Sequence, residues 1–137
     1  MEKLNRQVGK GFIGVEIVAI VAYYIAHSMG VNSVLQTASL NICSWTAIAV
    51  IIYSMKKHAN KKCFRYIMLG IACSLYISMA IFVPINTGFV FGMCFTSIFM
   101  LYNDYKLVRL AILGFSISSL MACLFFVEKN LFINKRN

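Results

Sequence analysis

Glu16 is the one acidic residue inside a long apolar stretch of this chain. A carboxylate in hydrocarbon is expensive, roughly 2.5–3.5 kcal/mol for Asp at a helix centre on an insertion scale, so such a residue is functional by default. Two chemistries fit it. If the apolar helix begins at Phe12, Glu16 lies about four residues in, roughly 6 Å by helical rise, and reaches interfacial water or Arg6 and Lys10. Otherwise it handles a proton or a ligand. Asn41, Ser44 and Trp45 form a second group, placed on one helix face by i, i+3, i+4 spacing. There Asn41 is a local partner for the indole N–H of Trp45. The group acts as an interhelical hydrogen bond, typically worth about 0.6 kcal/mol, or as part of a ligand pocket. His27 and Asn86 fall near the outer ends of apolar runs, with Tyr23 and Tyr24 about one turn below His27. Together they are candidates for the rim of an outward pocket, although a lone His at a membrane boundary is also at home in water.

Catalytic signatures are missing from the sequence. It contains no phosphate loop, nucleophile elbow, HExxH or paired carboxylates, so neither an enzyme nor a resident cofactor is expected. The five cysteines are odd in number and include no CxxC, which argues against a disulfide framework or zinc site. Cys43, Cys73, Cys94 and Cys123 lie in apolar runs, where a thiol acts as a small hydrophobe. Cys63 adjoins a basic loop and is a candidate for lipidation.

The elements that must position these residues are membrane helices. The 137 residues are 61% hydrophobic and 12% charged, against about 45–50% apolar and about 25% charged in an ordinary soluble domain. Apolar runs at 12–28, 34–55, 66–83, 88–102 and 107–127 predict an all-α, polytopic membrane helix bundle of about five transmembrane helices, forming a single domain over 1–137. The fourth run is short. Pro84, Asn86, Thr87 and Gly88 make a turn-like cluster before it, so it is either the second arm of a tight hairpin or a re-entrant segment. The first run, with Lys3, Arg6 and Lys10 ahead of it, has the outline of a signal peptide, but its length and Glu16 favour a retained anchor. Small residues recur every four positions at Gly88, Gly92 and Thr96, at Gly70, Ser74 and Ser78, and at Gly114, Ser118 and Ala122. Such rows let helix backbones approach, within the chain or across a dimer face.

A net charge of +9 can indicate nucleic acid. Here the basic residues punctuate apolar runs, so they read as orientation signals instead. Lys3, Arg6 and Lys10 precede the first run. Lys56, Lys57, Lys61, Lys62 and Arg65 fill the second connection, and Lys106 and Arg109 flank the fourth. The first and third connections hold no Lys or Arg. The positive-inside rule then puts the N-terminus in the cytoplasm of a multi-pass protein of the cell membrane. Tyr53, Tyr66, Tyr102 and Tyr105 stand beside the same basic stretches, as an aromatic belt requires. Five crossings leave Lys129, Lys135 and Arg136 on the outer side, against the rule.

The segment Leu101-Tyr102-Asn103-Asp104-Tyr105-Lys106-Leu107, joining an aromatic-rich helix to another apolar one, resembles the multi-spanning N-terminal membrane region of certain Firmicutes methyl-accepting chemotaxis proteins. The basic connection, with Phe64-Arg65-Tyr66-Ile67 opening the third helix, fits that likeness. Two departures stand out. Cys94 occupies a place where those receptors commonly carry proline, and no HAMP segment or signalling coiled coil follows Val127. The resemblance implies a sensory, signal-transducing membrane module without its output domain, either a truncated or split relative of a sensor or one whose partner supplies the output. The alternatives are a small transport or pore-forming protein, such as a holin or permease subunit, and a structural membrane subunit. Scarcity of deep charges weighs against an ion-coupled transporter. Expected partners are membrane lipids and a second copy or a signalling protein, not nucleic acid.

Overall fold

Hydrocarbon offers no water to a backbone N–H or C=O, so a chain this apolar must pair those groups within its own helices. The computed structural model describes the backbone of residues 1–82 and 85–134 and the side chains of 1–82 and 92–124. Within them it is all-α: α1 (Glu2–Ser28), α2 (Val34–His58), α3 (Cys63–Phe82), α4 (Ile85–Met100) and α5 (Tyr105–Asn134). α1, α2, α3 and the stretch Tyr105–Leu124 of α5 are each long and apolar enough to cross a membrane. Side chains such as Val18, Leu35, Leu113, Ile117 and Leu120 stand exposed. In water that belt would drive aggregation, whereas against acyl chains it is the expected exterior. The chain is a membrane helix bundle.

Four of the five helices start ahead of the apolar runs that announce them, α1 by the most. α1 begins at Glu2 rather than at 12, because hydropathy marks where a helix is apolar and not where it starts. Residues 2–7 are mostly good helix formers, and Glu2 sits in the first turn, where the helix dipole favours an acid. Arg6 Nε also donates to Glu2 Oε1 at 3.0 Å across an i, i+4 step. α4 likewise begins at Ile85, so the backbone of Asn86, Thr87 and Gly88 is already helical. With 16 residues it rises about 24 Å, less than the roughly 30 Å of a hydrocarbon core.

Consecutive helices pack as neighbours, and α3 touches all four others. Aromatic rings lock the centre. Phe12 of α1 stacks on Phe95 of α4 at 5.3 Å between centroids and meets Phe99 edge-on at 5.5 Å. Phe95 also faces Phe115 of α5 at 6.2 Å, and Phe115 meets Tyr76 of α3 at 5.4 Å. Each favourable ring pair contributes about 0.5–1.5 kcal/mol beyond area burial. Four of the five helices are tied through these rings, which gives the short α4 its place between α1 and α5.

The connections define two ends. At one, Gly30 turns with φ 74°, a left-handed conformation that suits glycine. Ser33 then opens α2 with a capping box: its hydroxyl accepts from Gln36 N at 3.2 Å, and its own N–H donates to Gln36 Oε1 at 2.9 Å. At the other, basic end, Asn5 Nδ2 donates to the Ala59 carbonyl at 2.6 Å, tying the start of α1 to the end of α2. Arg65 Nη1 meets Asp104 Oδ2 at 2.8 Å, with its guanidinium 4.9 Å from the centre of the Tyr102 ring. Asp104 Oδ1 accepts from Lys106 N at 3.1 Å, so the same side chain caps α5.

Candidate functional site

The buried stripe of α1 runs Asn5, Val8, Gly9, Phe12, Glu16, Ala19, Ile20, Tyr23. These steps of three and four place Glu16 in register with Phe12 and Tyr23, facing inward. The opposing stripe of α2 includes Thr37, Leu40, Asn41, Ser44, Ala47 and Ile48. Where they meet, a polar seam interrupts the apolar core.

Glu16 is 0% exposed, and neither carboxylate oxygen has a hydrogen-bond partner. The expected reach to Arg6 is not made, since Arg6 is taken by Glu2. The phase of the buried stripe turns Glu16 toward α2, away from Arg6. Ser44, itself buried, stands beside both Glu16 and the phenol of Tyr23, near enough to influence each. Neither contact closes to hydrogen-bonding geometry, and Tyr23 Oη has no partner. Asn41, one turn along α2, uses Nδ2 on the Thr37 carbonyl at 2.8 Å and leaves Oδ1 unpartnered. Unsatisfied buried polar atoms are rare in folded proteins, and each calls for an explanation.

Trp45 is not part of this group. It is 59% exposed, and the Asn41 amide bonds to Thr37 instead. From Asn41, a step of three turns back across the buried stripe while a step of four turns the other way, so Ser44 enters the seam and Trp45 leaves it.

Toward the Gly30 end the seam opens into a cavity of about 230 Å³ lined by Tyr24, His27, Val34, Thr37, Ala38 and Asn41. His27 is exposed, and its Nδ1 lies 3.0 Å from the Asn32 carbonyl, to which it donates. The anticipated rim therefore contains His27 and Tyr24, while Tyr23 turns inward to the core. Asn86 and Gly88 lie outside the residues whose side-chain surroundings are described.

Of the small residues singled out for packing, Gly92 and Gly114 sit at close approaches. A Cβ at Gly92 would stand 3.0 Å from the Tyr76 ring, and one at Gly114 would stand 2.9 Å from Cys73 Sγ. Ser118 is buried, its hydroxyl donating to the Gly114 carbonyl at 2.8 Å. Gly70 and Ser74 behave otherwise. Nothing approaches Gly70, Ser74 is exposed, and both line an open groove between α2 and α3. A four-residue row marks a smooth helix face without saying that another helix covers it.

Sequence reasoning passed over three contacts. Gly9 lets α1 approach α2 so closely that a Cβ would strike Met55. Asn5 and the Arg65–Asp104 pair link segments far apart in the chain. The phase of Asn5 and Gly9 with Val8 and Phe12 could have revealed the first two, whereas no sequence signal pairs Arg65 with Asp104. Searches against family models, curated proteins and solved structures each returned no match.

Proposed function

We propose that the chain is a sensory membrane module, binding its signal in the α1–α2 seam and reporting it at the basic end. The unpartnered buried oxygens of Glu16, Tyr23 and Asn41, with Asn41 also lining the cavity, carry this reading. Unpartnered buried polar atoms are rare, and a ligand in the seam would give these atoms partners. α1 offers a physical route for the report. It is one continuous helix of 27 residues, about 40 Å by helical rise, from His27 at the cavity to Asn5 on the Ala59 carbonyl. A small tilt or slide of this rod alters the start of the basic connection.

The likeness to chemoreceptor membrane regions agrees with this reading, and charge distribution favours a cytoplasmic basic end in a multi-pass protein of the cell membrane. Reporting then requires a partner or a further segment on that side. The test is amide hydrogen exchange in lipid nanodiscs, comparing wild type with Asn41→Leu. Sensory coupling expects changed protection at residues 59–62 as well as around residue 41. A change confined to the seam would make it a packing detail of a structural subunit.

A further inference from the structure

We infer that the groove between α4 and α5 binds a quinone dissolved in the lipid, with hydroxyl groups of α3 and α5 donating to its carbonyl oxygens. This goes beyond the sensory reading and rests on other helices than the α1–α2 seam.

The groove encloses about 410 Å³, within the range of small-molecule sites. Tyr76, Met93, Met100, Phe115, Ser116 and Ser119 all line it, and none of its lining residues is charged. Its open side faces lipid, since Met93 and Met100 are 60% and 59% exposed. Its floor is aromatic: Tyr76 and Phe115 are buried, and their rings meet edge-on at 5.4 Å. Such rings take a flat partner in offset or edge contact, and thioethers pack well against it.

The hydroxyls choose among flat apolar molecules. Tyr76 Oη and Ser119 Oγ lie 2.7 Å apart in the groove wall. One bond between two hydroxyls uses one proton, so the pair keeps a second O–H to donate. Ser116 is exposed in the same wall, and among the described residues its hydroxyl has no partner. Nearby, Thr96, Ser97 and Ser118 each return their hydroxyl to the carbonyl four residues back, the usual remedy where water is absent. Ser116 and Ser119 do not. Counted from Arg109 at the basic end, they lie roughly 10 and 15 Å along α5, near the middle of a hydrocarbon core about 30 Å thick. Phospholipid carbonyls stay at the boundary, and the core holds no water to serve instead. What reaches these donors is a neutral molecule that dissolves in the core and carries its acceptors on a flat body. A quinone has that build: two carbonyl oxygens on a planar ring, and no O–H or N–H of its own to leave unpaired.

The experiment uses the full chain in nanodiscs and ¹⁴C-labelled duroquinone, whose fully methylated ring offers the cysteines no open position. Equilibrium dialysis against empty discs of the same lipid measures uptake beyond simple partitioning. Saturation near one molecule per chain is expected, undiminished by an excess of durene, the same methylated ring without carbonyls. Ser116→Ala and Tyr76→Phe should each weaken binding by about three- to tenfold, the scale of one hydrogen bond. Ser74→Ala, in the α2–α3 groove, should leave it unchanged. Should Tyr76→Phe fail to fold, Ser116→Ala decides. Displacement by durene, or wild-type binding in Ser116→Ala and Tyr76→Phe, would reduce the groove to an apolar cleft and overturn the site. No uptake above that of empty discs would overturn it too, whether acyl chains or a second copy of the chain fill the groove.

Discussion

Glu16 shows how much a single residue's phase around its helix decides. Its side chain is 0% exposed against α2, so a substitution there is judged by what the seam can hold. Glutamine keeps the shape and removes the charge. Glu16→Gln should therefore stay within about 1 kcal/mol of wild type. Glu16→Lys should lose roughly 2.5–3.5 kcal/mol, the scale of a misplaced intramembrane charge. Urea-free thermal unfolding in nanodiscs, read by circular dichroism, separates the two, and equal stability of Gln and Lys variants would show that Glu16 is not held in the seam. The glycines give a second comparison. Gly92→Leu must displace the Tyr76 ring, which also hydrogen-bonds Ser119 at 2.7 Å, so a cost of about 1–3 kcal/mol from overpacking is expected. Gly70→Leu enters an open groove and should change stability by less than about 0.5 kcal/mol. Matching losses would mean that the groove is filled by another chain. Residue types alone did not separate these glycines, since both sit in rows of the same spacing.

The joint between α4 and α5 is the clearest lesson at the level of elements. Tyr102, Asn103 and Asp104 form part of the segment that carries the chemoreceptor likeness, and in this structure each has a local mechanical part. Asn103 takes φ 47°, one of the few side chains that tolerates the left-handed region. Asp104 caps α5 with Oδ1 and holds Arg65 with Oδ2, and the Tyr102 ring underlies that guanidinium. Asp104→Asn keeps an N-cap and weakens only the ion pair, so it should cost about 1 kcal/mol or less. Asp104→Ala removes the cap and leaves a largely buried Arg65 unpaired, a loss of about 2–3 kcal/mol. Thermal unfolding of both variants checks this, and an Ala variant as stable as the Asn variant would show that the joint does not hold the bundle. These mechanical parts account for the residue types of the segment without any sensory role. The helices themselves were legible from apolar runs, because lipid demands them. Their polar extensions were not. The start of α1 at Glu2 rests on an exposed i, i+4 pair and good helix formers, to which a hydropathy window is blind. The seam was partly legible as Glu16, Asn41 and Ser44, yet their meeting depends on how two stripes are phased, which neither helix specifies alone.

For the molecule as a whole, the structure brings all the early basic segments to one end. Asn5 on the Ala59 carbonyl joins the N-terminal turn to the 59–62 connection, and Arg65 on Asp104 joins that connection to the α4–α5 joint. Whichever side of the membrane holds one must hold all three, so the topology reduces to a single choice. Lys3, Arg6, Lys10, Lys56, Lys57, Lys61, Lys62, Arg65, Lys106 and Arg109 belong to this end, and residues 29–33 at the opposite end include no Lys or Arg. Moving such an array across a bilayer is opposed by the insertion bias that retains Lys and Arg in the cytoplasm. Cys63 opens α3 at the basic end and is exposed, which makes it a natural reporter once the other four cysteines are replaced. A membrane-impermeant maleimide should label Cys63 only after cells are permeabilised. In the same background with Cys63 replaced, Val31→Cys, at a position 60% exposed in the opposite connection, should label in intact cells. The reverse pattern would invert the molecule and place the basic end outside, where no cytoplasmic output could read it. The α1–α2 cavity would then face the cytoplasm, and a ligand reaching it would come from the cell interior rather than from its surroundings.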